Sequence, residues 1–203
     1  MFINKYLLIL LHNHQKRIIM EISISSQNVL RVINIIAWVI FVGLCIEAGG
    51  ILFNSIYAIF INPIASKSFW MKADLSALYN YDKGFFMVVV SLMSIVAVLK
   101  AIMFYLIITL FHHRTFQFTQ PFNTILEKFI SNLAYLSFGV GLFSIWGNRY
   151  CDWLNFNGVE LPPMQSLRMA GGDVWLFMCA ILFVIAYIVK RGIEIQTEND
   201  LTV

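Results

Sequence analysis

The stretch from Phe85 to Phe111, FFMVVVSLMSIVAVLKAIMFYLIITLF, constrains the chain more than any other feature. As a helix rising ~1.5 Å per residue, its roughly 27 residues reach about 40 Å, enough to cross a bilayer with tilt. Lys100 is its one formal charge. The only other charge inside an apolar run is Glu47, in the segment before it.

Composition extends the reading to the whole chain. The sequence is 60% hydrophobic and 12% charged, where a soluble domain has roughly 45–50% apolar and 25% charged residues. Its 203 residues leave room for about four spans with short loops, which predicts one lipid-embedded domain. The net charge of +3 is thinly spread, leaving no electrostatic footprint for direct nucleic-acid binding. Cys45, Cys151 and Cys179 have no CxxC spacing, and two of them fall in apolar runs, so no disulfide is expected.

Taken in order, the chain opens with a basic arm, residues 1–28, whose apolar run Tyr6–Leu11 is too short for a span or a signal-peptide core. A partly helical arm on the cytoplasmic face is predicted, with Met20 an alternative first residue. The first span begins after Arg31 and ends at Asn62-Pro63, because proline lacks an amide donor and restricts the residue before it. It is longer than a perpendicular helix needs, which predicts tilt or a break at Gly49-Gly50 beside Glu47. Between Ala65 and Lys83, Trp70, Tyr79 and Tyr81 predict a loop at headgroup level.

After the central span, Pro121 interrupts any helix, and Asn123 or Thr124 caps the next. The third span, Phe129–Trp146, is diluted by serines and thinned by Gly139 and Gly141, which suits a helix packed against protein on several sides. Asn148–Asp173 reads as a second exterior loop carrying Cys151. The last span, Val174–Val189, stops at Lys190-Arg191, and a polar acidic tail, residues 193–203, follows the domain spanning 29–192.

Lysine and arginine set the orientation. Lys5, Lys16, Arg17, Arg31, Arg114, Lys128, Lys190 and Arg191 lie on the side of the termini, against Lys67, Lys72, Lys83, Arg149 and Arg168 on the other. The excess predicts both termini in the cytoplasm. The fold class is therefore all-α: a four-helix bundle integral to the cell inner (cytoplasmic) membrane, multi-pass, with the lipid bilayer as its first partner.

Glu47 and Lys100 are the candidate site. At ~1.5 Å per residue they lie roughly 23 Å and 17 Å deep from the predicted cytoplasmic ends, in neighbouring helices of a hairpin. A mid-bilayer charge costs about 2.5–3.5 kcal/mol on insertion scales, so two opposite charges at similar depth are expected to pair or to share a wet cavity. Such a pair serves either as a proton or ion relay or a ligand pocket, or as a structural fix of helix register. His112-His113, with His12 and His14, lack a carboxylate or cysteine at ligand spacing, so neither metal nor cofactor is called for. Cys151 beside Asp152 is a poor nucleophile, because an acidic neighbour raises a thiol's pKa. With no nucleophile-base or phosphate-loop motif either, an enzyme is not expected.

Lys100 within the second span, the Pro121-Phe122 loop, and above all the ending Arg191-Gly192 followed by IEIQTENDLTV resemble a family of small bacterial inner-membrane proteins known only as a domain of unknown function. The resemblance runs from about Ile33 to the end and rests most on Gln196, Glu198, Asp200, Leu201, Thr202 and Val203. Genes of that family commonly sit beside one for a Cro/C1-like helix-turn-helix regulator. The resemblance thus implies a non-enzymatic membrane protein that binds a cytoplasmic DNA-binding partner, with Gln196, Glu198, Asp200 and Leu201 as the docking tail. The rival expectations are an accessory subunit of a larger membrane complex and a transporter or channel component using Glu47 and Lys100.

Overall fold

The computed structural model describes the backbone of residues 3–71, 73–112 and 123–200, and the side chains of 28–71, 73–111 and 123–199. The described chain is helical, with no strand. Helices α1 (Ile3–Phe60), α2 (Ser76–Tyr81), α3 (Lys83–His112), α4 (Thr124–Phe156) and α5 (Gly172–Asp200) are joined by a 3-10 turn at Pro63–Ser68 and by irregular loops. Among the described residues, four stretches are long and apolar enough to cross a membrane: Asn28–Phe60, Lys83–Phe111, Thr124–Phe156 and Gly172–Asn199. The chain divides into Met1–Val39, which is helical from Ile3, and Ile40–Val203, which holds the packed bundle.

Local chemistry sets the boundaries. Pro63 stops α1 as predicted, and the Asn62 side chain accepts from the Ile64 amide at 3.0 Å to start the turn. Asp82 accepts from the Phe85 amide at 3.0 Å and opens α3. Asn123 accepts from the Leu126 amide at 2.8 Å and caps α4. At the end of α4 the Asn157 side chain donates to the Trp153 carbonyl at 2.7 Å, and Gly158 turns the chain at φ +86°. Asp74 accepts from both the amide and the hydroxyl of Ser76 ahead of α2, which holds its carboxyl below the usual range.

Three expectations need correction. Of the two readings of the long first span, the break is not seen: α1 runs unbroken through Gly49-Gly50, and the second glycine serves instead as a notch for an aromatic ring, since a Cβ on Gly50 would stand 2.0 Å from the Trp70 indole. Phe69 and Leu78 are fully buried and Tyr79 nearly so, so the segment read as a headgroup-level loop is part of a core. Helix α4 overruns its predicted end at Trp146 and reaches Phe156, because Gly147, Cys151 and Leu154 continue its buried face at helical spacing. The predicted loop Pro121-Phe122, together with Lys72 and Arg114, lies outside the described residues.

Two kinds of packing hold the bundle. At the end where α1 finishes, Ile51, Phe69, Leu75, Leu78, Phe86, Leu154, Leu167 and Met169 form a fully buried core. Phe85 stacks edge-on against Tyr150 and Trp153 at its margin. Lys67, Asp74, Asp82, Lys83, Arg149, Asp152 and Glu160 are carried by the same segments, so this end of the bundle is a charged cap. There, burying each large side chain contributes about 1.5–3 kcal/mol. Within lipid that gain is absent, and close backbone approach replaces it. Gly141 of α4 lies so near α5 that a Cβ would meet Leu176 at 2.8 Å and the Gly172 carbonyl at 3.0 Å. As the dilute third span suggested, α4 is the central helix, packed on both α3 and α5.

Candidate functional site

The contact between Gly141 and Gly172 fixes where α5 begins: beside the middle of α4, not beside its end. Residues 157–171 therefore return along the bundle before α5 starts. Their backbone turns at Pro163, whose carbonyl accepts from Ser166 at 2.8 Å, and Leu167 and Met169 drop into the cap core with no exposure. Arg168 stands between these two anchors at φ +60°, a left-handed conformation unfavourable for a residue with a Cβ.

That conformation brings the two predicted charges together on one residue. The Arg168 Nε lies 3.7 Å from Glu47 Oε2. Lys100 Nζ donates to the Arg168 carbonyl at 3.1 Å and sits 5.8 Å from the centre of the Trp175 ring. Among the described residues, Glu47 thus has Arg168 rather than Lys100 as its ion-pair partner, and the expected direct pair becomes a three-residue chain, Glu47–Arg168–Lys100. The Glu47 side chain is 18% exposed and that of Arg168 37%, so the chain sits at the rim of the packed interior. The Arg168 Nη2 also donates to Met71 Sδ at 2.7 Å. Met71, at φ +45°, is the other non-glycine residue with positive φ among the described residues, so the strained points of the two cap segments meet each other.

Chemically, one carboxylate faces a guanidinium, and an ammonium is held by a main-chain carbonyl. The arrangement ties α1, α3 and the 157–171 segment together. Sequence reasoning missed Arg168 because it sits in a segment read as an exterior loop. Its signal was the apolar pair Leu167 and Met169 flanking a charge.

The other expected sites divide. Cys151 is fully buried in α4, not exposed in a loop, because it faces the cap core; Cys179 is buried and Cys45 exposed, and all three are free. Gln196 and Glu198 lie on α5, which continues through the basic stop as helix to Asp200. The Asp200 side chain and Leu201–Val203 lie outside the described residues, as do His113 and the side chains of His12, His14 and His112. Among the described residues no three His, Cys, Asp or Glu side chains gather as a metal site would need.

Fold and site together define a class: an all-helical protein with four helices able to cross a membrane and a capped bundle stapled by a charged chain. Comparison with protein-family models gives no match, and comparisons with curated proteins and with solved structures give none either.

Proposed function

We propose that this chain is a non-enzymatic, multi-pass protein of the inner membrane that presents its C-terminal helix to a basic cytoplasmic partner, a helix-turn-helix regulator. The observation that supports this is the continuation of α5. Anchoring in the bilayer is complete at Lys190-Arg191, yet the helix runs on to Asp200, a further ~14 Å. Arg191 is tied to Glu194, and Ile193 packs back on the Leu126, Ile130 and Val189 cluster. These contacts fix the base of the extension. Beyond them Ile195 is 55% exposed, with Glu198 also exposed three residues on. An exposed apolar anchor on a helix can seat in a partner's groove, and a carboxylate beside it complements the basic surface that DNA-binding proteins carry.

Mild-detergent purification with mass spectrometry of co-purifying proteins tests the reading. The full chain is expected to bring down a helix-turn-helix protein, and Ile195→Asp to lose it while accumulating normally. Retention of the partner by Ile195→Asp sinks the proposal.

A second reading, an accessory subunit of a membrane complex, is favoured by the apolar outer face of α1, where Ile46, Phe53, Ile56 and Phe60 stand exposed. Recovery of a large assembly in the same experiment would select it. A transport role for Glu47 and Lys100 draws less support, since Arg168 engages both.

A further inference from the structure

At the end of the bundle opposite the cap, the last turns of α3 and the first turns of α4 flank an open groove of about 220 Å³. Leu106, Leu110 and Phe129 form its apolar walls, and Thr109, Lys128 and Asn132 supply its polar groups. The Thr109 hydroxyl is spent on the Tyr105 carbonyl at 2.9 Å. Lys128 and Asn132 have no partner among the described residues, although both face the same space. Glu127 does not neutralise Lys128, for it accepts from Ser131 at 3.2 Å on the adjoining face of α4.

From this geometry we infer that the groove is a binding site for an anionic phospholipid. The ammonium of Lys128 and the carboxamide of Asn132 are donors spaced one turn apart on α4. Lys128 is exposed at this end of the bundle, where an ammonium attracts anionic headgroups, and the phosphate of a lipid is the anion the surroundings supply. The walls complete the match. A volume worth about seven waters is too small for a whole lipid but accommodates the phosphate and glycerol, with the acyl chains leaving along the apolar walls between α3 and α4. A free phosphate would satisfy the donors and leave those walls empty.

The test uses the full chain in mild detergent, with phosphatidylglycerol, phosphatidylcholine or inorganic phosphate added, read by thermal melting and by native mass spectrometry. Phosphatidylglycerol is expected to raise the melting temperature and to remain bound, and the other two to do neither. Lys128→Gln should reduce retained phosphatidylglycerol roughly fivefold, the share one lysine contributes at an anionic surface. Lys128→Arg should restore it, and Asn132→Ala should weaken it less. Equal retention by Lys128→Gln and the unaltered chain overturns the inference. So does an equal effect of phosphatidylcholine, or a full shift with inorganic phosphate alone. A dimer that forms in place of the lipid-bound species, and dissociates on Lys128→Gln, would assign the groove to a second copy and overturn it equally.

Discussion

The Lys100 ammonium donates to the main-chain carbonyl of Arg168 at 3.1 Å, so the lysine recognises the backbone of the residue whose side chain reaches Glu47. Two consequences separate here. Any residue at position 168 that keeps the left-handed turn preserves the Lys100 contact, whereas only a cation there preserves the contact with Glu47.

A double-mutant cycle tests this division. Glu47→Gln and Arg168→Gln are each expected to cost about 1–3 kcal/mol, the penalty for stranding one polar partner. Because Arg168 is 37% exposed, solvent weakens the pair, and the coupling should fall near ~1 kcal/mol. Glu47→Gln with Lys100→Met should be closer to additive. Melting in detergent reads both cycles, and a larger coupling for Glu47 with Lys100 would restore the direct pair.

The paired glycines of α1 offer a sharper contrast. Gly50→Ala drives a methyl into the Trp70 ring, 2.0 Å from where its Cβ must stand, while Gly49→Ala meets nothing within 4 Å. The first should destabilise by about 1–3 kcal/mol through overpacking, and the second should be neutral or mildly stabilising. Equal melting temperatures for the two variants would refute the notch.

Cysteine labelling probes the overrun of α4. With Cys151 fully buried and its neighbours Leu154 and Gly147 in the same core, a membrane-impermeant maleimide should leave it unmodified in the folded protein from either side of the membrane. Reaction should appear only on denaturation. Rapid labelling of native protein at Cys151 would return this stretch to a loop.

Two isoleucines on the α5 extension should behave oppositely. Ile193 packs on the bundle and Ile195 does not. Ile193→Asp is expected to lower accumulation in the membrane, because it places a charge against Leu126 and Val189. Ile195→Asp should leave accumulation and melting unchanged. If both lower accumulation alike, the extension belongs to the fold rather than to a partner.

Much of the architecture was legible because lipid writes in long words: runs such as Phe85–Phe111 admit one reading, and Pro63 and Asn123 mark ends by local chemistry. The small residues of α4 likewise announced a central helix. The cap was hidden because its core is assembled from distant fragments. Phe69, Leu78, Leu154 and Leu167 carry no shared period, and each sits among polar neighbours that read as loop. The charged chain was half legible for the same reason: Glu47 and Lys100 stand out against apolar runs, while Arg168 is one basic residue in a polar segment until folding turns it inward.

The return of residues 157–171 into the cap reverses the usual ranking of regular over irregular structure in hydrogen exchange. Protection follows burial and the energy of opening, not helical geometry. In this segment the Leu167 amide donates to Pro163 and the Met169 amide to Met164, with both side chains wholly enclosed, so deuterium can enter only when the cap core opens. The helical extension around Glu198 has regular hydrogen bonds but exposed side chains, so it can open without disturbing the cap core. Left in heavy water, this protein should hold its protons in a stretch without helix about as long as in its packed helices, and lose them sooner from an extension that is entirely helical.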